Sequence, residues 1–321
     1  MTTDHDRYVA VAALRAAVPY LRLYQGRTFV IKAGGEVFTK RATTRAIMEQ
    51  VGILHQLGIR VVLVHGGGGQ ATELAGRLGI ETRMVEGRRV TDGGTRDVAT
   101  MTLNGTVNTG IVAVCRELGI PALGLSGVDA GLVRARKRPP RHVDGEGDVD
   151  YGYVGDIVSV DVGVLDRILD DRFVPVVSPL SADDSGEVLN INADVVAARI
   201  AKEMKAEKLL LVTGASGILE DRSDSATLVS YTDVNGLNDL HESGSLVDGM
   251  LPKVTAIKDA LYGGVSRVHV ISYKITDSLL TEVFTNEGCG TLVVLDTQEL
   301  SAEEQKPSRV EQLLDKETDA P

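Results

Sequence analysis

Two lysines that lie far apart in the chain stand in contexts that suit phosphate binding. Lys32 ends an apolar, β-branched run and is followed by Gly34 and Gly35, and Lys253 follows Pro252 at the start of an apolar helical pattern. Sites that transfer phosphoryl groups surround the transferring oxygens with fixed positive charge and backbone N–H groups. These residue types therefore predict a site for phosphoryl transfer.

Lys32 and Lys253 have different alternative explanations for their positions in the sequence. An unpaired ammonium at the end of a buried strand is costly, so Lys32 requires an anion, either a ligand or a carboxylate such as Asp194. For Lys253 the alternative is a solvated position in the first turn of a helix. The helix dipole disfavours a cation at that position, which favours a bound anion near Lys253.

Two glycine runs, Gly34–Gly35 and Gly66–Gly69, each follow a predicted strand and precede a predicted helix. Beyond the carboxyl ends of strands in open α/β sheets, such turns present N–H groups to anionic ligands. Ordinary tight turns are the alternative for either run alone. The presence of both runs favours anion binding.

A dinucleotide site is a rival interpretation of the second glycine run. Gly66, Gly68 and Ala71 satisfy the spacing of the dinucleotide fingerprint, and Glu86 follows at a suitable distance. An oxidoreductase of this kind gives no role to the two lysines. No Gly-x-x-x-x-Gly-Lys-Ser/Thr pattern occurs in the sequence, which excludes a standard P-loop.

Two further clusters carry polar groups that suit a ligand. Asn190, Asn192 and Asp194 alternate along an extended stretch before a predicted helix, which predicts that they share one side as a ligand clamp. Helix capping is the alternative for Asn192 and Asp194. Arg89 stands three residues before Asp92 and suits a bidentate grip on a carboxylate, with an exposed salt bridge as the alternative.

Composition narrows the class of protein. The chain has 321 residues and a net charge of −11, which disfavours a nucleic-acid-binding surface. No apolar run approaches the ~20 residues that span a bilayer, and no signal peptide is recognisable, so we expect a cytoplasmic protein without membrane contact. The six histidines show no metal-site spacing. We interpret Cys115 and Cys289 as buried thiols.

Apolar strands alternate with helical patterns along most of the chain, which predicts an α/β fold around an open, mainly parallel sheet covered by helices. The predicted strands are 28–33, 60–65, 122–125, 174–178, 208–213, 267–271 and 291–295. The predicted helices are 7–24, 43–57, 72–78, 98–118, 193–204 and 251–263. Pro19 is expected to break or kink the first helix, and the charged segment 134–152 is expected to form an exposed hairpin or loop.

Four regions follow from this pattern: an N-terminal helical arm (1–27), two lobes around a cleft (28–178 and 179–296) and a tail (297–321). The tail contains seven acidic and three basic residues and few large apolar side chains, so we expect it to be mobile.

The chain resembles the amino acid kinase family over roughly residues 28–295. The likeness rests on seven segments in the order found in that family: Ile31–Gly35, Val64–Gly68, Gly87–Asp92, Asn190–Asp194, Lys205–Lys208, Gly249–Val254 and Phe284–Thr291. Among its members, the chain is most similar to those that phosphorylate the side-chain carboxylate of N-acetyl-L-glutamate with ATP and Mg²⁺. The resemblance implies that the N-terminal lobe holds the acetylated amino acid and the C-terminal lobe holds ATP.

The resemblance also assigns roles to matching residues. Lys32 and Lys253 would stabilise the transferring phosphoryl group, and Asp194 would hold both lysines. The substrate-binding set implied is Gly67, Gly68, Arg89, Asn190 and Asn192. The set implied for ATP and its phosphates is Gly34, Gly35, Gly66, Thr213, Gly217, Gly249 and Met250. A carboxylate acceptor is already ionised at neutral pH, so no general base is needed, and no protein-held metal is expected because Mg²⁺ would enter with the nucleotide.

The N-terminal helix is similar to the extra helix of arginine-inhibited family members, where it links dimers into a hexamer. A homo-oligomer, either a dimer or a hexamer, and feedback by L-arginine are therefore implied. The residues implied for the arginine site are Tyr20, Glu287, Gly288 and Gly290.

The sequence departs from the family pattern at several positions. Val128, Leu189, Gly214 and Asp277 stand where the family commonly has lysine, tyrosine, aspartate and histidine, respectively. Two other functions stay open at this point. One is a kinase of carrier-protein-linked aminoadipate, which the basic run Arg134–Arg141 would serve, and the other is an arginine sensor without turnover.

Overall fold

A computed structural model describes residues 4–85, 88–143, 145–221, 223–246, 250–302 and 304–305. An eight-stranded sheet in the order β14-β16-β15-β13-β1-β2-β10-β5 forms its centre, and within it only the β15–β16 pair is antiparallel. The strands are β1 (Thr28–Ala33), β2 (Arg60–His65), β3 (Arg83–Val85), β4 (Arg88–Val90), β5 (Ala122–Ser126), β6 (Val133–Lys137), β7 (Arg141–Val143), β8 (Gly147–Val149), β9 (Gly155–Val160), β10 (Val174–Ser178), β11 (Leu180–Ala182), β12 (Val188–Asn190), β13 (Lys208–Thr213), β14 (Tyr231–Asp233), β15 (Arg267–Ser272) and β16 (Thr291–Val294).

Helices cover both faces of this sheet, as the alternating pattern predicted. They are α1 (Asp4–Tyr24), α2 (Arg41–Gln56), α3 (Gly68–Arg77), α4 (Gly93–Thr100), α5 (Thr109–Glu117), α6 (Gly163–Asp170), α7 (Ala193–Glu203), α8 (Val234–Glu242), α9 (Leu251–Tyr262) and α10 (Ser278–Phe284). A π-helical stretch, Met101–Asn108, joins α4 and α5 into one continuous helix. Short 3₁₀ turns lie at Gly35–Phe38, Asp129–Gly131, Ser225–Thr227 and Thr297–Glu299.

Alternation along β1 sends its side chains into two separate cores. Phe29 and Ile31 pack into the core on the α2 side of the sheet, whereas Val30 packs into the core that contains residues of α7 and α9. Because side chains alternate along a strand, Lys32 points to the same side as Val30. The alternation of side chains along β1 therefore directs the Lys32 ammonium towards α7 and α9.

A small second sheet, in the order β12-β11-β6-β9, accompanies the N-terminal half. Our boundary between residues 178 and 179 falls just before β11, yet β11 pairs with β6 and β12 pairs with β11. The exposed segment 134–152 contains the predicted hairpin, formed by β7 and β8.

Two local expectations are corrected by the structure. Helix α1 continues through Pro19 to Tyr24, so Pro19 does not break it; its last turns pack against α10, with the Tyr20 and Phe284 rings 6.2 Å apart. The segment predicted as a tail begins with ordered contacts. Leu300 is 6% exposed and packs on β16, and Glu304 forms an ion pair with Arg267 at 2.7 Å. Residues 306–321 lie outside the described part of the chain.

The continuous helix Gly93–Glu117 is the one described helix that is long and apolar enough to cross a membrane. Half of its most apolar stretch is buried inside the protein. Most of its large apolar side chains, including Ile111 and Val114, are buried in the core, as expected for a core helix, whereas Met101 is exposed.

Candidate active site

The glycine turns and Lys32 meet at one edge of the main sheet. In the parallel register, Lys32 lies opposite Val64 of β2 and Leu211 of β13. The segments that follow β1, β2 and β13 therefore emerge side by side. This edge is where ligands bind in open α/β sheets.

One carboxylate joins the two predicted lysines. The Nζ atoms of Lys32 and Lys253 each lie 3.0 Å from Oδ1 of Asp194. The side chains of all three residues are 8–11% exposed. The alternative of a solvated Lys253 is therefore wrong, and the lysines are partners in one buried cluster with an excess of one positive charge.

Helix α7 positions Asp194 through a cap at its N-terminus. The side-chain oxygen of Asn192 accepts hydrogen bonds from the backbone N–H groups of Asp194 and Val195, at 2.8 and 3.3 Å. The side-chain oxygen of Asn192 therefore caps α7, in agreement with the alternative interpretation of this residue from the sequence. Asp194 occupies the first turn of α7, where the dipole favours a negative charge.

The electrostatics of this cluster are set by burial and by mutual pairing. Burial opposes ionisation of Asp194, but the attraction of Lys32 and Lys253 outweighs it and holds the pKa of the carboxyl below its usual value. Burial, together with repulsion from Lys32, lowers the pKa of Lys253. The negative charge of an anion bound beside the lysines would offset that repulsion.

The two glycine turns pack directly against each other. A Cβ atom on Gly35 would lie 2.9 Å from the backbone nitrogen of Gly67, and one on Gly66 would lie 2.9 Å from the nitrogen of Gly35. Contacts of that length with backbone atoms cannot be relieved by a side-chain rotation. Glycine is therefore required in both turns for them to pack at this distance.

Several N–H groups of these turns are available to a ligand. Among the residues that the structure describes, no hydrogen-bond acceptor is found for the backbone N–H groups of Gly35, Gly67 and Gly68. The carbonyl groups, in contrast, are held by side chains: Gln70 donates to Gly35 O at 2.6 Å and Arg89 donates to Gly68 O at 2.8 Å. This pattern is suited to an anion.

Arg89 lies on β4 next to the second glycine turn and is half-buried. It also donates to Oγ1 of Thr72, and burial lowers the pKa of its guanidinium. Asp92 instead caps α4 by accepting from Thr95 N at 2.8 Å. The exposed salt bridge considered for Arg89 is therefore not what the structure describes. Asn190, at the end of β12, accompanies Arg89 on the N-terminal half of the molecule.

The residues predicted to bind ATP differ in their positions and in their exposure to solvent. Thr213 ends β13 at the same sheet edge as Lys32 and is half-exposed. Gly217 is buried, and a Cβ atom there would lie 2.6 Å from Leu228 and Thr291, so close packing is one reason for glycine at this position. Met250 precedes α9. Gly249, like Glu86, Gly87 and Asp248, lies outside the described residues.

A second cleft, of about 60 Å³, contains all four residues predicted for arginine. Tyr20 of α1 and the turn of Glu287, Gly288 and Gly290 line it, and Tyr20 donates to Asn286 Oδ1 at 2.7 Å. Gly288 has a positive φ of 59°, and a Cβ atom there would lie 2.6 Å from Glu282.

Beneath this cleft lies a buried polar chain that sequence reasoning missed. Lys208 Nζ lies 2.9 Å from His269 Nε2, and His269 Nδ1 lies 2.6 Å from Oε1 of Glu282. Burial lowers the pKa of Lys208 to about 8 and that of His269 to about 4. Lys208 opens an apolar strand whereas Lys32 lies near the end of one, but the cost of burying an unpaired ammonium applies to both positions.

The sequence matches the profile of the amino acid kinase family over residues 27–272. The chain belongs to the amino acid kinase family. An acetylglutamate kinase from Myxococcus xanthus is 43% identical over 296 residues, which cover 91% of this chain and 96% of that protein. An acetylglutamate kinase from Moorella thermoacetica is 41% identical over 281 residues, covering 87% and 95%, respectively.

Solved structures agree with this amino acid kinase fold. N-acetylglutamate synthase from Neisseria gonorrhoeae, complexed with coenzyme A and L-arginine, aligns with a TM-score of 0.78 at 28% identity over 89% of this chain and 65% of its own. This chain therefore spans about two thirds of that longer protein. Carbamate kinase from Giardia lamblia bound to AMP-PNP aligns with a TM-score of 0.59 at 16% identity over 84% of this chain and 99% of its own, which shows the shared fold alone.

These findings do not favour the two other functions considered from the sequence, which are a kinase of carrier-protein-linked aminoadipate and an arginine sensor without turnover. The basic run of residues 134–141 is partly neutralised, since Arg134, Lys137 and Arg138 form ion pairs with Asp184, Asp150 and Asp156.

The departures from the family pattern have different local consequences. Leu189 is fully buried in the main core, so it acts in packing. Asp277 precedes α10 with a positive φ of 53° and makes no side-chain cap bond in the described structure. Gly214 lies near Tyr273, whose ring would be 3.5 Å from a Cβ atom at position 214. Val128 is exposed beside the turn Asp129–Gly131.

Proposed function

We propose that this protein transfers the γ-phosphoryl group of ATP to the side-chain carboxylate of N-acetyl-L-glutamate, giving an acyl phosphate in arginine biosynthesis. The observation that carries the proposal is the pair of buried lysines on one oxygen of Asp194, beside two contacting glycine turns. The acceptor is supported by relatives 41% and 43% identical that are named acetylglutamate kinase.

In the proposed reaction the residues position the reactants and offset charge. The acceptor carboxylate attacks as an anion, so no proton must be removed. Lys32, Lys253 and the N–H groups of Gly35 and Gly67 would bind the oxygens of the transferring group, whose charge is spread over them in the transition state. Asp194 would keep the two ammonium groups close enough to act on one phosphoryl group.

The α-carboxylate of the acceptor would bind to Arg89 and Asn190. Arg89 uses Nη2 for its contacts with Gly68 and Thr72, and a guanidinium carries five N–H donors. Donors therefore remain for a carboxylate. Gly68 and the amide nitrogen of Asn192, which the cap does not use, would complete the substrate-binding set.

ATP would bind across Thr213, Gly217, Gly249 and Met250, with its terminal phosphates at Gly34, Gly35 and Gly66. The carboxylate of Asp194 is already engaged by both lysines. Mg²⁺ would therefore be held mainly by phosphate oxygens, as is common for this ion. Bound in that way, the ion supplies further positive charge to the phosphates.

The test is formation of an acyl phosphate, trapped as a hydroxamate, with MgATP and N-acetyl-L-glutamate. We expect rapid product formation by the wild-type chain and a loss of at least about 10²-fold in kcat for Lys32→Met. Absence of product from a folded wild-type chain that binds ATP would refute the proposed acceptor. Carrier-linked aminoadipate and bound arginine without turnover would then be assayed in turn.

We also propose that L-arginine regulates the protein at the second cleft. Its lining carries both signs of charge, with Glu282, Glu287 and Glu304 together with Lys208 and Arg267, and both signs suit the guanidinium and carboxylate groups of L-arginine. Addition of L-arginine is expected to raise KM for the acceptor or lower kcat. Tyr20→Ala should relieve this inhibition at unchanged kcat without arginine, and equal inhibition of wild type and variant would contradict the assignment.

A cytoplasmic homo-oligomer, either a dimer or a hexamer, completes the proposal. Tyr8, Val11 and Leu14 on α1 are 75%, 52% and 62% exposed, which leaves apolar area for a second copy. Light scattering of the full chain, with Leu14→Glu as the variant, tests whether α1 contributes. A smaller assembly is expected for the variant.

A further inference from the structure

His65 ends β2 immediately before the second glycine turn and is fully buried. Its Nδ1 atom lies 2.9 Å from the carbonyl oxygen of Gly66, and its Nε2 atom lies 3.1 Å from Nδ2 of Asn108. Neither side chain is reached by a ligand in the function proposed above. The arrangement nevertheless places a polar chain between the core and the anion-binding turn.

The hydrogen bonds determine the tautomer of His65. Asn108 Nδ2 also lies 2.8 Å from the carbonyl oxygen of Val176 on β10, and only the nitrogen end of the amide can donate to it. The same nitrogen therefore faces His65 Nε2, which must accept. The proton of the neutral ring is then on Nδ1, and it donates to Gly66 O.

This bond orients the peptide that joins Gly66 to Gly67. In a planar trans peptide the carbonyl and the N–H point in opposite directions. If His65 holds the carbonyl of Gly66 in the core, the N–H of Gly67 is turned away from the core. The Gly67 nitrogen lies where the two glycine turns meet, 2.9 Å from the Cβ position of Gly35.

We propose that His65, with its tautomer set by Asn108, is a positioning residue that aims the Gly67 N–H at the transferring phosphoryl group. The proposal rests on the phosphoryl transfer proposed above. His65 does not exchange a proton in the reaction. Burial lowers its pKa to about 4, so the ring stays neutral throughout the neutral and alkaline range.

Two amide variants separate positioning from packing. His65→Asn places an amide near the position of Nδ1 and can still donate to Gly66 O, whereas His65→Gln places its amide near Nε2 and cannot. Glutamine fills the space of histidine better than asparagine does. A packing role therefore predicts that the Gln variant is the more active, and the positioning role predicts the reverse.

A third variant displaces Asn108 and leaves His65 itself unchanged. Gly124 lies on β5, and a Cβ atom there would lie 2.0 Å from Oδ1 of Asn108, so Gly124→Ala must displace the Asn108 amide. Gly110→Ala is its matched control. Gly110 is exposed on the same long helix as Asn108, and a Cβ atom there meets nothing within 4 Å.

The experiment measures kcat and both KM values by the hydroxamate assay, together with binding of MgADP with and without aluminium fluoride in the presence of N-acetyl-L-glutamate. We expect His65→Asn to stay within about threefold of wild-type kcat. His65→Gln and Gly124→Ala should lose about 10-fold to 10²-fold in kcat, the range for a misplaced donor. Affinity for the fluoride complex should fall by the same factor, with affinity for MgADP alone unchanged.

Three results would overturn the inference: a Gln variant more active than the Asn variant, wild-type kcat in Gly124→Ala, or losses confined to KM. If either His65 variant fails to fold, Gly124→Ala against Gly110→Ala decides. An inactive wild-type chain would instead refute the proposed reaction, so the two failures are distinguishable.

Discussion

Lys32 and Lys253 each place their ammonium nitrogen 3.0 Å from the same oxygen, Oδ1 of Asp194. One buried negative charge thus holds two positive charges, and the cluster lacks one anion for neutrality. In the proposed reaction the transferring phosphoryl group would supply negative charge to this cluster. Under that proposal, the free energy of folding and the reaction rate depend on the same three side chains.

Replacing Asp194 by asparagine should lower the free energy of unfolding while the fold stays the same. The variant leaves two buried ammonium groups without a counter-charge, and removal of one member of a buried ion pair costs roughly 3–5 kcal/mol. Urea unfolding with and without AMP-PNP measures this, and the nucleotide should restore part of the loss. Asp259→Asn is the control, because its 3.7 Å ion pair with Lys202 is partly exposed and should cost less than about 1 kcal/mol. Equal effects of the two variants would contradict the expectation.

Replacing Lys253 by methionine should separate rate from stability. Asp194 keeps Lys32 as its partner, so the variant should fold, whereas kcat should fall by about 10²-fold to 10³-fold. Lys258→Met on the same helix is the control, since Lys258 contacts Asn238 on α8 and should retain its rate. Hydroxamate kinetics with a thermal melt of each variant give both quantities. A Lys253→Met enzyme with more than a tenth of wild-type kcat would exclude a direct role for this ammonium.

Gly66→Ala tests whether the two glycine turns must touch. The new methyl group would lie 2.9 Å from the backbone nitrogen of Gly35 and would force the turns apart. Displacement of a positioning group by about 1 Å costs on the order of 10²-fold in rate. Gly76→Ala, on the exposed side of α3 with nothing within 4 Å of its Cβ position, is expected to leave kcat unchanged. Similar kinetics for both variants would show that the close contact is unnecessary.

Stability should fall as the pH is lowered through 6.5, because His65 and His269 are buried and neutral. Burial lowers the pKa of each to about 4, whereas an unfolded histidine titrates near 6.5, so the unfolded state binds more protons between these values. Each histidine then removes about 1.4 kcal/mol of unfolding free energy per pH unit as the pH falls.

Urea unfolding at pH 7, 6 and 5 measures this dependence. His65→Gln should reduce the slope by the contribution of one histidine. An unchanged slope in the His65 variant would contradict the buried, neutral state of this ring.

Much of the fold was predictable because its signals are local. The central strands alternate with helices and are apolar on both faces, and β1, β2, β10 and β13 have the predicted limits. Short strands outside this pattern, such as β11 and β12, were not predicted, because their pairing with β6 depends on contacts across the molecule.

The residue types by themselves also determined the kind of chemistry. A lysine at the end of a buried strand requires an anion wherever it lies, and paired glycines after parallel strands expose N–H groups at one sheet edge. These requirements follow from desolvation and from backbone geometry, both of which are readable from Lys32, Gly35 and Gly67 in the sequence.

Only the tertiary structure decided which groups meet. The shared oxygen of Asp194, the bond from Arg89 to Gly68 and the chain from Asn108 through His65 to Gly66 each join elements that are distant in sequence. Their geometry depends on strand register, on the side of the sheet that each helix covers and on side-chain rotamers. Those quantities are set by packing of the whole core, and no local pattern in the sequence records them.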